Sequence, residues 1–359
     1  MKATARARKA ATRGADAAPQ VFYNLQALRA FAAVNVALFH FALIPAASVP
    51  WHYGSFGVDL FFVLSGFIIA WSSSDDHRHF LAHRVIRVLP PYWIVTCLLG
   101  LLVLLAMPAA AALGWIGRSL LFLYGADGRP PILFVGWTLV YELVFYLVYA
   151  AALRAGPGRA PAVAIIALFA LAYGGRLTGI TARDWPLLAE FAFGLAIFLW
   201  VDRRAVPSPR ALSMALIVAG TALLYAFEPS LHGREGAAAD QMRVVALGLP
   251  AAAVVLGLLQ LERTGIAVRS RFVLALGAAS YALYLLHPLV FSFVLPFPAG
   301  PLALRLVILT ILLVITIGVS LGFHAWIEVP LLRILRKRLT GDAPASIEEE
   351  AAPLARKPS

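Results

Sequence analysis

The chain has 359 residues, of which 61% are hydrophobic and 13% charged, with a formal net charge of +12. A soluble domain carries about 25% charged residues, so this composition excludes a water-solvated globule and makes the bilayer the solvent. A charge of this sign would suit nucleic acid in a soluble protein, but here the basic residues sit mainly in short loops between apolar runs. No basic stripe with interleaved aromatics occurs, so nucleic acid is excluded as a partner.

Residues 1–20 are rich in Ala and Arg and are predicted to form a disordered basic tail. Apolar runs of spanning length follow at 22–45, 54–72, 90–107, 132–153, 160–175, 185–201, 211–227, 243–260, 272–295 and 301–328. Stretch 113–124 is interrupted by Arg118 and reads as a surface helix. A signal peptide ending near Ala46-Ala47-Ser48 competes with the first span, but the run is too long and Asn24, Arg29, Asn35 and His40 interrupt it. The predicted fold class is all-α: a polytopic membrane bundle of about ten helices over residues 21–338, then a disordered tail over 339–359. With the N-terminus inside, twenty-two basic residues fall on the cytoplasmic side and six outside. That asymmetry predicts both termini in the cytoplasm and the whole domain in the inner membrane. The single cysteine, Cys97, lies in an apolar run, so no intramolecular disulfide and no cysteine-based metal site is expected.

An ionisable residue inside a membrane span is a functional candidate by default. The first span carries Gln26, Arg29 and His40. Eleven residues separate Arg29 from His40, three turns plus ~20°, so they share one face about 16 Å apart. Snorkelling to the interface is the structural alternative for Arg29; a buried, hydrogen-bonded imidazole is the alternative for His40. The second span opens Gly57-Val58-Asp59, and a short loop lets Asp59 reach the level of His40, where a carboxylate would orient an imidazole. Capping of its own helix is the other reading of Asp59. The loop after it holds Arg84 and Arg87 ahead of Pro90-Pro91-Tyr92-Trp93, and arginine forks suit phosphates.

The fourth span reads Trp137-Thr138-Leu139-Val140-Tyr141-Glu142, with Thr138, Glu142, Tyr146 and Tyr149 on one face. A midplane glutamate must be paired or protonated, and Arg29 is the expected partner by charge. In the ninth span Ser280, Tyr284 and His287 align. The tenth is expected to end at Glu328-Val329-Pro330.

Taken together, LQALRAFAAVNVALFH (25–40), GVDLFFVLSGFII (57–69), HRVIRVLPPYW (83–93), GWTLVYELVFYL (136–147), SYALYLLHP (280–288) and IEVP (327–330) resemble the membrane acyltransferase-3 family of nodulation and O-antigen modification, most of all its exopolysaccharide-modifying branch. The resemblance implies an O-acyltransferase using acyl-CoA, usually acetyl-CoA, as co-substrate with no other cofactor, and a carbohydrate hydroxyl as acceptor. It implies roles for Arg29, His40, Arg84, Arg87 and Glu142; Tyr141, Tyr284 and His287, polar residues inside their spans, join Arg29, Arg84 and Arg87 as candidate donor- or substrate-binding residues. Many members have Asp-Gly where this chain has Gln26-Ala27, and two acidic residues where this chain has Glu142 alone. Some carry a fused extracytoplasmic hydrolase-like domain; none is expected here, so the chain finishes the reaction itself or hands over to polysaccharide-synthesis machinery.

Acyl transfer from a thioester to a hydroxyl needs a base, and His40 is the best candidate because imidazole titrates near neutrality. An acyl-histidine intermediate is the alternative use of the same residue. Two rival readings remain: a transporter whose buried Arg, His and Glu line a solute or proton path, and an acyltransferase acting on a glycosylated small molecule.

Overall fold

The computed structural model describes residues 22–51, 53–73, 78–123, 129–178, 185–204, 206–234, 236–293 and 298–340, with backbone only at 175–178 and 237. The predicted tails, 1–20 and all of 339–359 beyond Thr340, lie outside the described residues. Among the described residues every regular element is helical. In chain order these are α1 (Tyr23–Ala42), α2 (Gly57–Ser72), α3 (Phe80–Ala106), α4 (Ala109–Leu120), α5 (Trp137–Ala152), α6 (Ala160–Thr178), α7 (Leu188–Arg203) and α8 (Arg210–Phe227). They continue with α9 (Ala237–Arg243), α10 (Leu249–Arg263), α11 (Arg271–Ala278), α12 (Ser280–Ser292), α13 (Leu302–Phe323) and α14 (Val329–Leu339). Six helical stretches among the described residues are long and apolar enough to cross a membrane, and α11 with α12 makes a seventh if the bent pair is one span. The molecule is a multi-pass membrane protein. Its outward face is apolar, as on α13, where Leu304, Val307, Ile311 and Val314 are exposed at helical spacing.

Helix α1 is the axis. Its small buried residues, Ala30, Ala32, Ala33 and Ala37, let α2, α10, α11 and α12 approach closely. The start of α1 is satisfied from another helix: the Glu262 carboxylate at the end of α10 accepts the amides of Tyr23 and Asn24, each at 2.8 Å. The Asn24 side chain donates to the carbonyls of Leu258 (3.2 Å) and Ile266 (2.9 Å) and accepts the amide of Val268 (2.8 Å).

Four departures from the sequence reading bear on function. The segment 80–89, read as a loop, is the first part of α3, which runs unbroken through Pro90 and Pro91. Each proline removes the amide that would bond the carbonyl four residues earlier, at Ile86 and Arg87, but burial of Val88, Pro91, Tyr92 and Val95 along one face holds the helix together. The ninth span is broken: α11 and α12 meet at Ala279 at 72°. The break lies where α11 crosses α1, with Gly277 against the Gln26 carbonyl and the Gln26 amide donating to the Leu274 carbonyl at 3.4 Å. The tenth span does not end at Pro330. A π-helical turn, His324–Glu328, precedes α14, and Pro330 falls in the first turn of α14, where a missing amide costs least. A second π turn, Val244–Gly248, joins α9 to α10. By contrast, the expected surface helix at 113–124 is present as α4, shifted by about one turn toward the N-terminus and packed on α3 through Tyr92 Oη to the Ser119 carbonyl (2.7 Å).

Helices α2 and α7 cross at Gly66 and Gly194. A Cβ on Gly194 would collide with the Val63 carbonyl and stand 2.7 Å from the Phe67 nitrogen, both backbone. Gly194→Val is therefore expected to destabilise the fold by at least the ~1–3 kcal/mol typical of overpacking. An apparent melting temperature in detergent equal to that of the wild type would contradict this packing.

Candidate active site

His40 occupies the last turn of α1, and two hydrogen bonds fix its tautomer. Its Nδ1 is 2.9 Å from the Val36 carbonyl, which only accepts, so Nδ1 carries the proton. His287 Nε2 lies 3.1 Å from the same Nδ1 and therefore accepts from it. His287 in turn donates from Nδ1 to the Leu283 carbonyl at 3.3 Å. This assignment, made from the hydrogen-bond network, leaves Nε2 of His40 with its lone pair free. The two rings stack at 5.0 Å between centroids, and Phe134 meets the His40 ring edge-on at 5.0 Å. His287, fully buried, is thus an orienting partner of His40 and lies apart from Arg84 and Arg87, where the sequence reading had grouped it.

Two cavities meet at the centre of the bundle. The first, of about 120 Å³, is lined by Arg29, Arg84, Arg87, Glu142, Tyr146 and Ser280, among others. The Tyr146 hydroxyl donates to the Glu142 carboxylate. Arg29 and Glu142 line the same cavity, but among the described residues no ion pair joins them; Arg29 makes a long contact with Gln26 Oε1 at 3.5 Å. Glu142 instead lies in the combined field of Arg87, Arg84 and Arg29. Arg84 is anchored to Ser72 Oγ at 2.7 Å. Ser280, at the start of α12, is fully buried with no partner for its hydroxyl among the described residues.

The second cavity, of about 270 Å³, holds His40 together with Trp137, His232 and Arg243. Tyr284 and Val58 line both cavities and form the wall between them. The wall is pinned by a closed set of hydrogen bonds: Tyr284 Oη to Thr138 Oγ1 (2.8 Å), Tyr284 Oη to the Val135 carbonyl (3.1 Å) and Thr138 Oγ1 to that carbonyl (3.0 Å).

Two expected residues lie elsewhere. Tyr141 lines neither cavity; its ring packs against Trp185 at 5.0 Å, and against Trp137 and Phe62. Asp59 does not orient His40. It is fully buried and takes a bidentate ion pair from Arg243, Nε to Oδ1 at 2.9 Å and Nη2 to Oδ2 at 2.7 Å. The reason is the face of α2 on which Asp59 falls, toward α7 and the π turn after α9 rather than toward α1. Sequence reasoning missed Arg243, which it took for a basic residue of an outer loop, and Glu190 on α7, a fully buried carboxylate behind the pair. Their signal was available: each is a lone charge set against an apolar run. Among the described residues no group of three or more His, Cys, Asp and Glu side chains could hold a metal ion.

Residues 22–325 match the model of the acyltransferase domain. The chain is similar to the exopolysaccharide production protein ExoZ of Rhizobium meliloti (strain 1021), with 33% identity over 305 residues, covering 79% of this chain and 92% of that protein. It is also similar to the acyltransferase MdmB of Streptomyces mycarofaciens, with 24% identity over 354 residues, covering 84% and 87%. No solved structure gives a significant match.

Proposed function

The chain belongs to this acyltransferase family and is a membrane acyltransferase, and on that premise we propose that it moves an acyl group, acetyl first of all, from cytoplasmic acyl-CoA to a hydroxyl of a cell-surface or exported carbohydrate. One observation carries the reading: a histidine whose Nε2 has no hydrogen-bond partner among the described residues faces one cavity, and a wall of Tyr284 and Val58 separates it from a second cavity lined by three arginines. In the proposed topology about ten spans cross the inner membrane with both termini cytoplasmic, so the arginine cavity opens inward. The burial of Arg243 supports it, because one of the six basic residues counted outside is then an ion-paired internal residue rather than a loop charge.

The arginine cavity is well below the roughly 300–1,000 Å³ of pockets that enclose drug-sized ligands. It suits the acyl-bearing end of the donor, with the nucleotide phosphates at the mouth beside the Arg84 and Arg87 forks. His40 Nε2 takes the proton of the acceptor hydroxyl as its oxygen attacks the thioester carbonyl carbon. The carbon–sulfur bond breaks, and the thiolate leaves with that proton as the free thiol. Acyl-CoA is a co-substrate, and the chemistry calls for no further cofactor. The name of the Rhizobium relative supports a carbohydrate acceptor and a setting among polysaccharide-synthesis machinery.

Three outcomes follow. His40→Ala should lower transfer by at least the ~10²-fold of a lost acid–base group while acyl-CoA binding survives, and His287→Ala should cost less; transfer by His40→Ala at the wild-type rate contradicts the mechanism. Replacing Arg84 and Arg87 with Ala should raise the KM for acyl-CoA at least ~10-fold, since a charged hydrogen bond contributes ~1.5–3 kcal/mol, and Lys should rescue only in part; an unchanged KM reduces both to topology signals. A reporter active only in the cytoplasm, fused after Ser359, should be active; silence there with full expression contradicts the topology.

A further inference from the structure

Arg243 is the last residue of α9, directly before the π turn Val244–Gly248. Asp59 engages its Nε and Nη2, and Nη2 also donates to the Ser55 carbonyl at 2.9 Å. Behind Asp59 stands Glu190, a buried carboxyl whose oxygens have no hydrogen-bond partner among the described residues and whose strongest electrostatic neighbour is Asp59. Gly248 makes the room: a Cβ there would stand 2.9 Å from Glu190 Cγ and 3.0 Å from Oε1. Residues of α2, α7 and the α9–α10 turn therefore hold the guanidinium in one orientation. Nη1 is the edge left over. It makes no hydrogen bond among the described residues, and Arg243 lines the cavity that contains His40, with 20% of its side chain exposed.

A buried ion pair contributes little to stability compared with an apolar packing of the same volume, so stability gives no reason for an ion pair backed by a further buried carboxyl at this crossing. The pairing does fix direction. It also cancels the guanidinium charge with that of Asp59, so Nη1 offers two directed N–H donors with little net charge. Such donors match the hydroxyl and ring oxygens of a neutral sugar better than a free anion. Trp137, 37% exposed on the same cavity, adds a flat apolar face.

We propose that Arg243 binds the acceptor, its Nη1 donating to sugar oxygens beside the hydroxyl that His40 deprotonates, with Asp59 as the residue that positions it. The inference rests on the carbohydrate-acyltransferase reading above and adds the acceptor site to it. The test uses purified full-length protein, acetyl-CoA and two matched probes, cellotetraose and its C6-oxidised glucuronic counterpart. The wild type should acetylate the neutral probe with the lower KM. Arg243→Lys, and the charge-matched double variant Arg243→Gln with Asp59→Asn, should raise the acceptor KM at least tenfold, with the KM for acetyl-CoA within twofold of wild type. Folded variants with an unchanged acceptor KM overturn the proposal, as does a wild type that prefers the anionic probe tenfold. A double variant that fails to fold makes the pair part of the framework alone and also overturns it. Wild-type protein that acetylates neither probe fails earlier, at the carbohydrate reading itself, and the acceptor site falls with it.

Discussion

Helix α1 carries Asn24, Gln26, Arg29, Asn35 and His40 through a solvent that offers no hydrogen bonds, so each polar side chain must be met by protein. The partners come from different parts of the bundle. Asn24 is met by the end of α10 and the loop after it, Gln26 by α11, Asn35 by Tyr225 of α8 at 3.3 Å, and His40 by His287 of α12. Satisfying this one helix therefore fixes where four others stand. It also brings the chemistry to the centre, because Arg29 and His40 open onto the two cavities that the surrounding helices enclose.

The two cavities divide the chemistry by charge. Around the first, three guanidinium groups outnumber Glu142, whose carboxylate is held by Tyr146; this environment suits the anionic donor proposed above. Around the second, the Arg243 charge is balanced by Asp59, and the reactive group is a neutral imidazole whose other nitrogen is fixed. A base needs that arrangement, since a second hydrogen bond at Nε2 would compete with the acceptor. The wall between them is Tyr284 with Val58, and the three-way hydrogen bond of Tyr284 with Thr138 and Val135 makes it a rigid element that an acyl group passing in the proposed reaction would have to displace.

Much of this was legible in the sequence, because composition fixes the solvent and helical spacing fixes faces. The Arg29–His40 stripe and the Glu142–Tyr146 face follow from periodicity, and the surface helix around Arg118 from the charge that interrupts its apolar stretch. What failed was partner choice across the chain. Asp59 lies near His40 in sequence order and opposite charge suggested a pair, yet its partner is 184 residues away. Periodicity says which face a residue takes on its own helix and nothing about which helix covers that face. The breaks were hidden for a related reason. The 72° bend at Ala279 falls inside an apolar run, and the π turns at 244–248 and 324–328 stand at the polar ends of theirs, where composition marks a boundary but not a change of helix type. Proline misled in one direction: Pro90, Pro91 and Pro330 read as helix boundaries, but burial and a π turn absorb all three.

The central claim is that donor and acceptor meet from opposite sides of the membrane, through the Tyr284 wall. Proteoliposomes with the arginine cavity facing outward, loaded inside with an acceptor oligosaccharide and given acetyl-CoA outside, test it directly. The account predicts acetylated sugar inside the vesicles and none when the acceptor is supplied only outside with the donor. Product formed only when donor and acceptor share one side would contradict it.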